Sequence, residues 1–476
     1  MKKLKISLIF ILSAAILYVA AIYTIEFFIE KELKKQEQLS YGDFKMTFGG
    51  NIAFKDLLFQ NDSIEVQAEQ VNLNIGILKI LMSDTILIDK ATVKHAKLTY
   101  IKLDSAVVKP EKKNKKEFAL NKVDITDFAI YSIEKQDTLL QVVDLNLKAK
   151  LKDLKDVQFN QLEKLDFKYL KFNAGVLIDI AVNNFKYENQ KLVLDTFKVY
   201  TRYSKEEYIK YIPEQKGHID LVAYNLALDS IDFKIEKNKL LKITLNEINM
   251  DKFELDVYRD KTIAEYTKHE PTYAEIFQSL DFEIVAKAMI TQNSRVSFAM
   301  KTDDGRVSTI YLNDINAKLT HINNIPSMKQ IANLTGSLAL SKKSVVAVYL
   351  AYNQYANVET FQLDLHGRNI ETGAMNTMFR PALNAELSGT VDSLDVQMVS
   401  RGSGNGWVRL QSEDLKVQLY KQNGEDRKFL TGIGNLFVHK SLDKTGEVKD
   451  FKFDQTRPMW NYVWHFIEEG LKKAII

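Results

Sequence analysis

Apolar residues recur along this chain at i, i+2, i+5 and i+7, with a mostly polar pair in the middle. Ile52, Phe54, Leu57 and Phe59 make the first copy, around Lys55-Asp56. Val66, Ala68, Val71 and Leu73 repeat it around Glu69-Gln70, and Phe118, Leu120, Val123 and Ile125 follow. Later copies are Leu192, Leu194, Phe197 and Val199, then Ile243, Leu245, Ile248 and Met250, then Ile310, Leu312, Ile315 and Ala317. On a helix at 100° per residue these positions point to about 0°, 200°, 140° and 340°, which is no single face. On a strand each half alternates cleanly, and the central pair shifts the phase by one. An uncorrected slip would turn the second half onto the wrong face. One bulged residue restores it, so the rhythm predicts strands with bulges. A tight hairpin is the alternative, but the pairs Asn121-Lys122, Asp195-Thr196, Asn246-Glu247 and Asn313-Asp314 are not the Asn-Gly such turns favour. The expectation is one long, one-sided, twisted sheet.

Other segments break the rhythm. Asp104 to Glu117 carries Pro110 and a lysine run, and reads as a solvated loop. Ser204-Lys-Glu-Glu207 predicts a capped helix to about Ile212, stopped by Pro213. Short helices are expected near Tyr273 to Leu280, Ser327 to Ile331 and Ala374 to Phe379, and Asp303-Asp304-Gly305 predicts a hairpin turn. Gly402 to Gly406 reads as a hairpin loop, because Trp407-Val408-Arg409-Leu410 continues as strand and a phosphate cradle needs a helix start there.

The two ends differ from the middle. Ile6 to Ile25 is free of charge, about the 20 residues that cross a bilayer, with Lys2, Lys3 and Lys5 before it and Glu26 and Glu30 after. The positive-inside rule puts the N-terminus in the cytoplasm and the bulk across the membrane. A cleaved signal peptide fits less well, for its apolar region would be shorter and no small-x-small site follows. At the other end, Pro458 opens an amphipathic helix with Trp460, Val463, Trp464, Ile467, Leu471 and Ile475 on one side. Packing on the last strands is its plain role. Trp460, Trp464, Ile467 and Leu471 are also candidates for contact with a membrane or partner. The expected organisation is an anchor and helical stalk over residues 1–39, a β-body over 40–456 and the terminal helix over 457–476.

Composition narrows the chemistry. The 476 residues hold 65 Lys and Arg against 62 Asp and Glu, interspersed, which argues against a nucleic-acid partner. With no cysteine there is no disulfide scaffold and no thiolate site. The seven histidines are scattered, no pair stands at metal-ligand spacing, and no nucleophile elbow, Walker loop or H-E-x-x-H occurs. No cofactor and no enzymatic activity are expected.

A long sheet with one apolar face must cover that face. It can close on itself as a dry sandwich or barrel, or stay open as a trough for acyl chains. In the open case Phe54, Val66, Val71, Leu73, Ile75, Leu120, Val123, Leu194, Phe197, Leu245, Ile248, Leu312 and Ile315 are the expected lining. Charged substitutions at Leu73, Leu194 or Leu245 would then abolish function while the protein still accumulates.

Residues 51–102 (NIAFKDLLFQ onward), the strands beginning FALNKVDITDFAIY at Phe118, and residues 381–420 (PALNAELSGTVDSL onward) resemble the AsmA-like family of bacterial envelope proteins. In that family similar strands flank a variable loop, and glycines such as Gly389 and those of 402–406 punctuate the C-terminal strands. The resemblance implies a mainly β protein: a transmembrane helix, then an elongated, twisted, antiparallel, taco-like groove with a few short helices. It further implies an inner-membrane anchor, a periplasmic body, and phospholipid transport or outer-membrane biogenesis. It implies no catalytic residues. The chain is shorter than the family's long bridges, so crossing the periplasm would take a partner protein or a homo-oligomer. A non-enzymatic scaffold for outer-membrane proteins is the alternative.

Overall fold

Alternation of apolar and polar side chains governs the structure as expected: the chain is mainly β, with a large sheet and a few short helices. The computed structural model describes residues 38–46, 51–75, 85–102, 117–135, 137–151, 161–236, 239–420 and 436–475. The expected anchor, most of the stalk, and the stretch from 103 to 116 lie outside them. Among the described residues no helix is long and apolar enough to cross a membrane.

The strands, in chain order, begin with β1 Leu39–Ser40, β2 Asp43–Met46, β3 Asn51–Gln60, β4 Ile64–Ile75, β5 Thr85–Lys102, β6 Glu117–Leu120, β7 Lys122–Glu134 and β8 Asp137–Lys150. They continue through β9 Leu162–Asn173, β10 Ile178–Glu188, β11 Lys191–Thr201, β12 His218–Asp229, β13 Asp232–Glu236, β14 Lys239–Met250, β15 Lys252–Asp260 and β16 Glu283–Lys301. The last are β17 Val307–Asn323, β18 Ala332–Ala339, β19 Val345–Tyr352, β20 Thr360–Glu371, β21 Ala385–Arg401, β22 Ser403–Leu419 and β23 Leu436–Lys452. Among the described residues there are four α-helices, α1 Lys205–Tyr208, α2 Tyr273–Gln278, α3 Asn376–Leu383 and α4 Met459–Ile475. Contacts divide the chain into two compact units, one of residues Met1–Phe197 with Ala227–Leu245, the other of Lys198–Leu226 with Asn246–Ile476.

Left-handed residues interrupt the strands, two of them, Asp56 and Asp314, at expected pairs, and their backbone explains their residue types. Asp56, His95, Asp127, Asp144 and Asn184 in the first unit take φ between 49° and 54°, as do Asn225, Asp314, Asn369, Asp414 and Asp450 in the second within 49° to 54°. Aspartate and asparagine tolerate this left-handed region better than other side chains. Asp56 and Asp314 are the second members of the polar pairs read from the rhythm. Burial follows the phase change: Ile52, Phe54 and Leu57 are buried while Lys55 and Asp56 are exposed. From β3 to β7 adjoining strands take the extra residue at one level, so Lys55 faces Gln70 and Leu57 faces Ala68 with no slip. Polar contacts tie this level together: His95 Nδ1 lies 2.7 Å from Asp127 Oδ2, Asn146 donates to Asp166 at 2.7 Å, and Asn184 to Asp195 at 2.6 Å. The copy at Phe118 differs, because Asn121 separates β6 from β7 altogether.

Three expectations are corrected. The sheet is not purely antiparallel: β6 and β7 run parallel to β5, and β15 runs parallel to β16. A parallel return needs a connection of about a dozen residues or more. The stretch after Asp260 therefore serves as a crossover and carries α2. The helix after Ser204 is shorter than expected and ends at Tyr208, although Ser204 Oγ does accept the Glu207 amide at 3.3 Å. The glycine-rich stretch is a turn at Gly402 alone, with Gly404 and Gly406 inside β22.

Candidate functional site

In the first unit the registers join apolar side chains into rows that run from strand to strand. One row is Phe59, Val66, Leu98, Ile130, Val142, Leu170 and Val182. A second is Phe44, Phe54, Val71, Val93, Ile125, Leu147, Leu165 and Tyr187. A third is Ile52, Leu73, Ala91, Val123, Ala149 and Leu162. The structure thus sets Phe54 beside Val71, and Leu73 two positions along from Val71 in the adjoining row. These rows are withdrawn from water: Phe54 is 1% exposed and Leu73 2%. Val66, Val71, Ile75, Leu120, Leu194 and Leu245 are buried as well, with Val123 and Phe197 partly so. Charged substitutions at Leu73, Leu194 or Leu245 would bury a charge without a partner, so a loss of stability is expected together with the loss of function. A cleft of about 330 Å³ opens where the second and third rows end, lined by Leu162, Tyr187, Ile231 and Phe233 with Glu163, Glu188 and Asp232.

The second unit holds an apolar face of different character. Ile219, Val257, Phe298 and Ile310 form one row across β12, β15, β16 and β17, and Leu221, Leu255, Val296 and Leu312 form the next. Ile219 is 36% exposed and Phe298 38%, and the others are only partly buried. The opposite face of the same strands is polar: Arg295 pairs with Asp256 at 3.4 Å, and Lys252 with Glu254 at 2.7 Å. Of the residues expected from sequence, Leu312 belongs to this face, while Ile315 sits at the bulge opposite Ser294. Ile248 in β14 is partly buried. Ile219, Leu221, Leu255, Val257, Val296 and Phe298 were missed. Their strands carry apolar residues in both phases, as in Leu221-Val222-Ala223, so alternation alone assigns no face.

Further along, α4 covers the rows. Leu319, Leu334, Leu350, Leu363 and Met398 make one, and Ala317, Gly336, Val348, Leu365, Val396 and Val408 the next. Met459, Tyr462, Val463 and Phe466 of α4 are buried against Leu363, Met398, Val408 and Val448, with Ala274 of α2 beside them. Glycine permits this approach. A Cβ on Gly446 would stand 2.0 Å from the Gly470 carbonyl oxygen, and one on Gly404 2.7 Å from the Tyr462 hydroxyl. The terminal helix therefore packs on the last strands. Ile467 and Leu471 join that core, Trp464 meets Phe379 of α3 at 6.1 Å between ring centroids, and Trp460 alone of the four stays 48% exposed.

Charged groups inside this capped region are few. Glu359, at 1% exposure, has one carboxylate oxygen with no hydrogen-bond partner, and burial pushes its carboxyl above the usual range. Burial, with Glu359 adding to it, also pushes the Tyr352 phenol up, while its oxygen accepts the Ala274 amide at 3.1 Å. On α4, hydrogen bonding from His465, then Lys472, holds Glu468 down to about 2. Among the described residues no three His, Asp or Glu side chains converge as metal ligands.

Compared with known proteins, the chain matches no protein-family model and no curated protein.

Proposed function

We propose that this chain is a non-enzymatic lipid-binding protein, tethered to the inner membrane by its N-terminal segment, that holds acyl chains and supports phospholipid movement between membranes. The observation that carries it is the half-open apolar face of Ile219, Val257, Phe298 and Ile310, backed by a polar face on the same strands. Such a face costs free energy in water unless something apolar lies on it. An acyl chain gains about 0.8 kcal/mol for each methylene it buries, and needs no hydrogen bonds to do so. The uncharged run from Ile6 to Ile25 and the resemblance of residues 51–102, 118–131 and 381–420 to AsmA-like envelope proteins support the same reading. Native mass spectrometry of the purified full chain tests it. Co-purified phospholipid, lost in Phe298→Asp, is expected. A folded, lipid-free protein would overturn the proposal in favour of a scaffold for outer-membrane proteins.

A further inference from the structure

The open face is apolar along its rows but ends on a cation. In β15, Phe253, Leu255 and Val257 share one face, and alternation puts Arg259 on that same face, opposite Met300 of β16. Glu254, Asp256, Tyr258 and Asp260 take the other, where Ser297, Arg295 and Lys301 meet them. Arg259 therefore has no share in the polar network behind it. Its Nε is buried without a hydrogen-bond partner, and its guanidinium makes no ion pair among the described residues. A buried donor left without an acceptor is costly, and Arg259 as a whole is only partly buried.

What surrounds it increases the cost. Arg457, on the segment between β23 and α4, is close enough to repel it, and burial and Arg457 together lower the basicity of Arg259, with Glu270 opposing them from beyond ion-pair distance. Arg457 itself is held by Glu265, and its Nε lies 3.9 Å from Asp454. The Glu270 amide donates to the Gln455 carbonyl at 2.8 Å, which fixes the crossover from β15 against the start of α4. The surroundings of Arg259 are thus built rather than loose, with its Nε left over.

Apolar ligand sites generally carry a small number of polar groups that set orientation, and guanidinium forks match phosphate and carboxylate. We propose that Arg259 is the head-group site of the open face, receiving the phosphate of an anionic phospholipid whose tail lies along Val257 and Leu255 of β15 and Phe298 and Val296 of β16. This rests on the lipid-binding reading above and adds to it a polarity: the head lies at Arg259, one row beyond Val257, and the tail runs across the rows toward Leu255.

A matched pair of probes tests it, dodecyl phosphate and dodecanol, which share a tail and differ in charge. With the full chain in amphipol, dodecyl phosphate is expected to bind about tenfold more tightly than dodecanol, the scale of one hydrogen-bonded charge. In Arg259→Met that ratio falls to about one, and in Arg259→Lys, which keeps the charge but loses the fork, it lies between. Circular dichroism melts establish that each variant is folded, and the lysine variant carries the test should the methionine one unfold. A wild-type ratio near one, or a ratio unchanged in both variants, overturns the head-group site while lipid binding stands. If inorganic phosphate alone binds as tightly as dodecyl phosphate, Arg259 is an oxyanion site unrelated to lipid, and the proposal fails. If neither alkyl probe binds, the lipid-binding reading falls with it.

Discussion

The apolar rows of the first unit and those of β12, β15, β16 and β17 in the second are built by the same alternation, yet they differ in what water can reach. Phe54 and Leu73 are sealed, whereas Ile219 and Phe298 keep more than a third of their surface exposed. The sealed rows contribute to stability. The open rows are where a guest can be accommodated, so the two sets of similar side chains should respond differently to the same mutation.

The largest difference is expected from a charge. Leu73→Asp should destabilise the first unit by about 3 kcal/mol or more, because the carboxylate has no partner there. Phe298→Asp should change stability by only about 1 kcal/mol while removing bound lipid. Denaturant melts with parallel lipid analysis check both, and equal destabilisation would erase the distinction between the regions.

Capped rows form a third condition between these two. Gly446→Ala places a methyl group into the Gly470 carbonyl of α4. A loss of about 1–3 kcal/mol is expected, read as a lower melting temperature, with α4 loosened over Val408 and Val448. A melt identical to wild type would mean that α4 does not depend on that close approach.

The bulges should matter by a smaller amount, and to the same degree in both units. At Asp56 and Asp314, Val should cost about 1–2 kcal/mol and Gly almost nothing, because only the former resists positive φ. Equal effects of Val and Gly would point to lost side-chain contacts instead.

The smallest effect concerns Glu359. Its folded carboxyl titrates above the unfolded one, so the folded state binds the extra proton and stability falls as pH rises from the ordinary glutamate range through the raised value. Glu359→Gln should remove that decline and raise the melting temperature at neutral pH while leaving it little changed at pH 4. A variant less stable than wild type at neutral pH would show that the charged form is tolerated in place.

Much of the strand content could be read from spacing, because a two-residue period with a one-residue correction has few other physical meanings. Asp56 and Asp314 marked their bulges because the left-handed backbone selects such residues. Pro458 and the apolar spacing after it located α4. The faces of β12 and β15 could not be read in this way, and nothing in Val257-Tyr-Arg-Asp260 sets Arg259 apart from the other cations of the chain. Which side a strand residue faces depends on every bulge before it and on the partner beside it.

By itself, the order of residues determined that the chain would form strands, that they would bulge at places such as Asp56 and Asp314, and that one side of many of them would be apolar. Tertiary structure decided the rest: the parallel returns of β5 to β7 and β15 to β16, the rows that are sealed, capped or open, and the cation left at the end of the open one. The reason is that periodicity is a local property of backbone geometry, whereas exposure is set by what other parts of the chain lie against a surface, and nothing in a strand's own sequence records that.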